Sequence, residues 1–463
     1  MVSRRFLCLT APLLPFYHSA FSFIFAGMSW ILYFIYLLLL IWIIQKAPFF
    51  NAPHMERRWL IIAFLTKVVG GVALFIIYRY YYDPADSDIF HYFNDGLIIH
   101  NALFENPLDF LRMVSGINSD APDLMHYYMA CDYWLKPFYF GLPNDNLIVI
   151  RTHALLCLVS MGNFHIHNLF FSFFGFVGLW ALYKAFCKEL ANTHLLLFLC
   201  MFGIPSVWIW TSGALKESLM MAIFGLLIYF FRDFLKKPSV WNVAAMLVLS
   251  YMMKTSKYYV LMAALPAMLA AVWIKYRPKL ALLKFAATHL LLFGLFYCSK
   301  FITGFDMIEA ICGKQQCFIS MSEDLGNVGS YIYLPPLDNG LQSMIVNAPN
   351  ALYNSLFRPT IFEAKSAMMI FAAIENILII CMLAVGLLFI QPKNFSNRDV
   401  WCCLSYITIF FVLIGLTTPV LGALVRYKVP ALPFLGIFIL LIVNDEKAQA
   451  ANKWIEKKIK RKH

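Results

Sequence analysis

Charge is scarce in this sequence. Only 13% of its 463 residues are Asp, Glu, Lys or Arg, while 61% are hydrophobic; a soluble domain carries about a quarter charged residues. That shortage, with a mean hydropathy of +0.71, excludes a globule with a single anchor and leaves a polytopic membrane protein. A basic stripe on a soluble domain is also missing, so the formal charge of +12 does not read as nucleic-acid binding. The basic residues are scattered between apolar runs and in the tail, where cytoplasmic loops and anionic headgroups account for them. The eleven cysteines mostly lack pattern, and Cys187, Cys200 and Cys381 lie in apolar runs, where Cys acts as a small hydrophobe. The exception is Cys312-Gly313-Lys314-Gln315-Gln316-Cys317. A disulfide is expected there if the compartment is oxidising; zinc would need two further ligands, and none is near. His18, His91, His153, His165 and His167 show no ligand spacing on one helix, and no internal repeat, low-complexity tract or soluble domain boundary is visible.

What the chain does have is long apolar runs, at 29–46, 59–79, 147–161, 166–186, 191–210, 217–231, 238–253, 258–275, 281–300, 366–391, 400–418 and 429–444. Arg4-Arg5 followed by Phe6 to Ala26 resembles a signal sequence, but without a clear cleavage signal an uncleaved helix or hairpin is expected, and Met28 is an alternative start. Arg57-Arg58, Arg232/Lys236/Lys237, Lys275/Arg277/Lys279, Lys393/Arg398 and the tail 457–462 mark cytoplasmic segments. Walking forward from Arg57 and back from the tail puts loops 80–145 and 301–365 on the outside, but the two walks disagree by one crossing. Making 147–161 re-entrant repairs this, since half-crossing backbone is tolerated where it lines a protein cavity. The expected fold is all-α: one integral membrane domain, residues 1–463, a helical bundle of about eleven transmembrane helices (ten to thirteen). Its two large extracytoplasmic loops carry interfacial helices (Ile89 to Phe104, Pro107 to Val114, Leu124 to Phe138 in the first). The basic tail 445–463 is cytoplasmic, and the setting is the plasma (inner) membrane.

Chemistry is sought in polar residues that do not belong in lipid. Asp83, Asp86 and Asp88 open the first outer loop at membrane-surface depth, where clustered acids mark a metal, a proton or a sugar hydroxyl. His91 follows Asp88 by three positions and shares its face if that stretch is helical. Ser212-Gly213 breaks two apolar runs just before Lys216-Glu217, which suits an anion at a helix N-terminus or an ordinary helix start with an ion pair. Lys254 and Lys257 sit outside against the charge trend, where they meet a phosphate or snorkel to headgroups. Arg358 ends the second loop, Glu375 lies within the next span, where structural pairing with a cation is the default, and Arg151 lies in the short run 147–161. Arg426 and Lys428 precede a proline-marked helix start and suit a phosphate or an acidic partner.

Asp86-Ser87-Asp88 at the mouth of the first outer loop, with Arg426-Tyr427-Lys428-Val429-Pro430-Ala431-Leu432-Pro433 opening a late span, resembles the GT-C superfamily of polyprenyl-phosphate-sugar-dependent glycosyltransferases. The Ser212-Gly213/Lys216-Glu217 and Arg358-Pro359 segments resemble bacterial membrane proteins of surface-polysaccharide assembly. The resemblance spans about residues 59 to 444 and implies inverting transfer from a lipid-linked sugar to a glycan or lipid acceptor on the outer side. It implies Asp86 or Asp88 as base, with Lys254, Lys257, Arg426 and Lys428 near the donor phosphate. Lys216 and Arg358 join the phosphate ligands, and Asp83, His91, Glu217 and Arg151 support. The one cofactor admitted is a divalent cation held by Asp86 and Asp88. The chain departs from the family in its extra early hydrophobic run, its three aspartates in place of a pair, and its lack of an outer soluble domain after the last span. An O-antigen-type polymerase or ligase therefore stays open, as does a transporter or flippase of a lipid-linked oligosaccharide. A carrier is expected to show paired halves and polar residues at the midplane, and the sequence shows no such halves.

Overall fold

The structure, a computed structural model, describes residues 15–136, 144–276, 279–324, 330–338 and 340–460. Side chains are described from Ser29 onward within these ranges, except those of Asp86 and Lys460. Helices account for the architecture, with isolated bridge pairs but no strand among the described residues. The first part runs α1 (Pro15–Lys46), α2 (Arg57–Ile76, prolonged by a π turn to Tyr81), α3 (Asp88–Glu105), α4 (Pro107–Ser115), α5 (Met125–Tyr128) and α6 (Leu147–Ser160). The centre holds α7 (Phe164–Phe186), α8 (His194–Phe202), α9 (Pro205–Trp210), α10 (Lys216–Lys236) and α11 (Val240–Tyr276). Then come α12 (Ala281–Tyr297), α13 (Ser299–Thr303), α14 (Met307–Asp324), α15 (Leu341–Phe357) and α16 (Ala367–Leu388). The chain closes with α17 (Arg398–Thr417), α18 (Leu421–Tyr427), α19 (Leu432–Ile442) and α20 (Asp445–Lys460).

Among the described residues seven helices are long and apolar enough to cross a membrane: α1, α2, α7, α10, α11, α16 and α17, with α18 and α19 forming an eighth element bent by 60°. This is the composition of a helical membrane protein. The run at 191–210 is not one helix, because Gly203-Ile204-Pro205 separates α8 from α9 and proline cannot continue an α-helix. The runs at 238–253 and 258–275 fuse into the 37-residue α11, which is non-helical only at Lys257 (φ −137°, ψ 76°). Both ends of α11 return to one end of α10. Asn242 donates to Asp233 Oδ2 at 3.0 Å, and Lys275 donates to the Phe234 carbonyl at 3.4 Å. Lys257 lies at the other end of α10, 3.9 Å from Glu217. The helix is therefore a hairpin with Lys257 at its apex.

α10 is the central post, and α7 runs parallel beside it. Glycines permit the close approach: a Cβ on Gly178 would meet the Met221 carbonyl, one on Gly225 the Gly178 carbonyl, and one on Gly175 the Thr211 carbonyl. Without a hydrophobic drive between helices in lipid, such close van der Waals packing is a main source of association. Each end of α10 carries buried charge. At its C-terminal end Arg232 pairs with Asp399 (2.8 Å) and Glu189 (3.0 Å). Lys216 lies sixteen residues earlier, about 24 Å away along the axis, close to the thickness of a hydrocarbon core.

The stretch 147–161 forms α6, whose 14 residues span about 21 Å, short of a bilayer core. Asn146 at its start accepts from Lys216, and Ser160 at its end bonds His167 in the first turns of α7. Both its ends thus lie at the same end of the bundle. In the first loop α3 and α4 occupy the two expected helical stretches, but of 124–138 only Met125–Tyr128 is α-helical among the described residues. The Cys312/Cys317 segment is not a loop. Both lie in α14 as free thiols, five positions apart and so on different faces, with Cys312 donating to the Asp338 carbonyl. That corrects the expected disulfide.

Replacing Gly178 with Leu should force α7 off α10 and cost at least about 2 kcal/mol. A lowered melting temperature of the detergent-extracted protein, with Gly294→Leu as a control at a glycine with open space around it, checks this.

Candidate functional site

The site begins at the break between α9 and α10. Gly213 takes φ +80°, a left-handed conformation suited to glycine. Side chains of α7 hold the turn: Ser172 Oγ accepts from Gly213 N (3.1 Å) and Asn168 Oδ1 from Ala214 N (3.0 Å). From α2, fully buried Lys67 donates to the Trp208 carbonyl (2.9 Å) and to Thr211 Oγ1 (2.5 Å). The N–H groups of Gly213, Ala214, Leu215 and Ser218 are all engaged within the protein. The break therefore does not offer those backbone N–H groups to an anion. It aims the side chains of Lys216 and Glu217 instead.

Around these two residues the fold gathers charges from five segments. Asp88, the first residue of α3, accepts from Arg426 Nη1 at 3.1 Å, and Tyr133 Oη lies 3.5 Å from its other oxygen. Arg426 Nε lies 2.9 Å from Glu217 Oε1, and Tyr78 Oη is 3.4 Å from Nη1. Glu217 is in turn 3.9 Å from Lys257, and Lys257 is 3.7 Å from Asp145 Oδ2. Asp145 also meets Lys216 at 3.0 Å and Lys136 at 2.8 Å. Lys216, Glu217 and Lys257 are buried, and the cluster reaches the surface through Asp88, Asp145 and Lys136. Aromatic rings wall it in: Tyr92 faces Lys216, Tyr259 and Tyr427 face Lys257, and Trp210 faces Arg426. Lys314 on α14 points over the Tyr259 ring, 4.4 Å from its centroid. Burial and the neighbouring Lys257 pull its ammonium down to about 8. Burial pushes the Asp145 carboxyl up, but Lys216, Lys257 and Lys136 more than offset it and hold it well below the usual carboxylate range.

The structure thus brings together Asp88, Lys216, Glu217, Lys257 and Arg426. The other expected residues with described side chains lie elsewhere. Asp83 is exposed and caps the 3-10 turn Pro84–Asp86 by accepting from Ala85 N. Asp86 ends that turn, and its side chain lies outside the described residues. His91 bonds Asp132 and the Ala85 carbonyl, both at 2.7 Å, so it braces the loop; burial lowers its imidazole, and these bonds outweigh it to raise it. Lys254 is exposed, outside the cluster. Arg151 donates to the Met113 carbonyl at 2.8 Å and faces the Trp134 ring. Arg358 pairs with Glu363, and Lys428 donates to the Arg358 carbonyl (2.6 Å) and Asn376 (3.3 Å), forming a separate polar group. Glu375 accepts from Ser206 N and Oγ at 2.6 and 2.5 Å, so a helix start, not a cation, satisfies it. Among the described residues no group of three His, Cys, Asp or Glu side chains could hold a metal ion. Sequence reasoning missed Asp145, Lys136 and Lys314. The polar run Asn144-Asp145-Asn146 before an apolar stretch was the available signal for the first.

No family model matches the chain, and no curated protein or solved structure does.

Chemically, this is a partly buried, tyrosine-walled cluster with five cations (Lys136, Lys216, Lys257, Lys314, Arg426) and three carboxylates (Asp88, Asp145, Glu217). Such a surplus favours an anion. Arg426→Met should destabilise the protein by about 3 kcal/mol, because it takes the nearer of two cations from buried Glu217 and leaves only Lys257 at 3.9 Å. The double variant Arg426→Met/Glu217→Leu should recover much of that loss, read as the two melting temperatures compared side by side.

Proposed function

We propose that this chain is a membrane enzyme of lipid-linked glycans, transferring a sugar from a polyprenyl-phosphate donor to a glycan or lipid acceptor. The reading places the protein in the plasma membrane, with the Lys216 end of α10 facing outward and the basic tail in the cytoplasm. It takes eleven crossings: α1, α2, α7, α8 with α9, α10, the two arms of α11, α12, α16, α17, and α18 with α19. α6 stays half-inserted.

The observation that carries this reading is the 3.1 Å contact between Asp88 and Arg426, continued at 2.9 Å to Glu217. An acid from the start of the chain and a cation from its end share one site, as transfer from a phosphate donor requires. In this mechanism Asp88, oriented by Arg426, accepts the proton of the acceptor hydroxyl as that oxygen attacks the anomeric carbon. Asp86 is the alternative base on the same loop. The glycosyl–phosphate bond breaks as the new bond forms, and Lys216, Lys257 and Arg426 neutralise the departing phosphate. Polymerisation or ligation of whole lipid-linked glycans would use the same groups.

One observation favours a carrier instead. Lys67 lies fully buried about halfway along the α2 span with two neutral acceptors for partners, and intramembrane ionisable residues mark transport pathways. The two readings separate in a reconstituted assay with a short-chain isoprenyl-phosphate sugar and a radiolabelled acceptor. Asp88→Asn should lower transfer at least about a hundredfold while the protein still inserts, the usual reach of a general base. Full transfer by both Asp88→Asn and Asp86→Asn would remove the base assignment, and donor translocation without transfer would favour the carrier.

A further inference from the structure

Asp145 is the most crowded carboxylate in the cluster. Lys136 meets one of its oxygens at 2.8 Å, and Lys216 and Lys257 meet the other at 3.0 and 3.7 Å. These lysines come from three separate segments, so the fold, not local sequence, aims them at one point. Lys314 stands beside Lys257 with no carboxylate within ion-pair distance among the described residues. The other two carboxylates, Asp88 and Glu217, are both engaged by Arg426. Three ammonium groups therefore converge on one carboxylate, Lys257 shares the second carboxylate Glu217 with Arg426, and Lys314 stands beside them, in a tyrosine-lined recess that opens to the surface at Lys136 and Asp145 and where like charges repel. A carboxylate presents two acceptor oxygens on one carbon; a phosphoryl group presents three and up to twice the charge. Asp145 can also yield its place, because its neighbours fix the segment without it. Asn144 donates to the Trp134 carbonyl (2.8 Å) and Asn146 to the Tyr133 carbonyl (3.0 Å).

We propose that Lys136, Lys216, Lys257 and Lys314 form a cradle for a phosphoryl group, and that the Asp145 carboxylate is its resting occupant. An arriving phosphate displaces that carboxylate, takes over its three lysine contacts, and gives Lys314 the counter-ion it lacks. This deepens the function proposed above and rests on it for one point, that the phosphate belongs to a lipid-linked sugar. The cradle itself does not depend on transfer chemistry.

The test uses the full-length protein in nanodiscs of phosphatidylcholine, which present no net-anionic headgroup. Thermal-shift titrations are run with inorganic pyrophosphate and with a short-chain isoprenyl phosphate. Asp145→Asn removes the competitor and should bind about tenfold more tightly, a gain of roughly 1.4 kcal/mol. Lys314→Gln should bind about tenfold more weakly, Lys314→Arg close to wild type, and exposed Lys254→Gln unchanged. If only the isoprenyl phosphate shows these effects, the cradle serves a lipid-linked phosphate; if pyrophosphate shows them equally, it reads the phosphoryl group from either source. The proposal is overturned if Asp145→Asn binds both no more tightly than wild type, or if Lys254→Gln loses as much as Lys314→Gln. Should Asp145→Asn fail to fold, the contrast between Lys314→Gln and Lys314→Arg decides alone. Asp88→Asn separates the two readings: it should keep phosphate binding while losing transfer.

Discussion

A guanidinium held between two carboxylates organises this molecule. Arg426 reaches Asp88 at the start of α3 and Glu217 at the start of α10, and Glu217 is almost wholly shielded from solvent. A charge in that setting costs several kcal/mol unless it is paired, so the three elements cannot separate cheaply. The same constraint recurs at the far end of α10, where Arg232 joins Asp399 and Glu189. The central post is thus fixed at both tips by ion pairs and along its length by glycine contacts with α7. Between them these leave the break before Lys216 as a shaped, fully hydrogen-bonded turn.

The membrane character was legible because it is a matter of counts: long apolar runs and few charges. So was the pairing of early acids with late cations, because ionisable residues beside a bilayer need partners. The helix boundaries were less legible. Residues 238–275 contain polar Lys254 to Lys257 and read as two runs; one non-helical residue, Lys257, turns the chain. Residues 191–210 read as one run, but Pro205 divides them. Apolar content predicts burial in lipid and says little about where a single backbone torsion departs from the helix.

The site was legible at its anchors and opaque at its filling. Lys216, Glu217, Lys257 and Arg426 announced themselves as charges beside apolar runs. Asp145 had only the short polar run Asn144-Asp145-Asn146 to mark it, and Lys136 and Lys314 are single charges within the outer loops; only the tertiary fold brings the three into one cluster. Lys254 shows the converse. It carries the same side chain as Lys257 three residues away, yet it is exposed, while the non-helical backbone at Lys257 turns that residue into the cluster.

The last contacts to be translated close structures begun much earlier. Arg426 completes a pair with Asp88 across 338 positions, and Asn452 of α20 accepts from the Leu195 backbone N–H at the start of α8 across 257. While the chain is still emerging from the ribosome, Glu217 and Asp88 wait without Arg426, and the first turn of α8 waits without its cap. The charged centre is therefore complete only once α18 has been made.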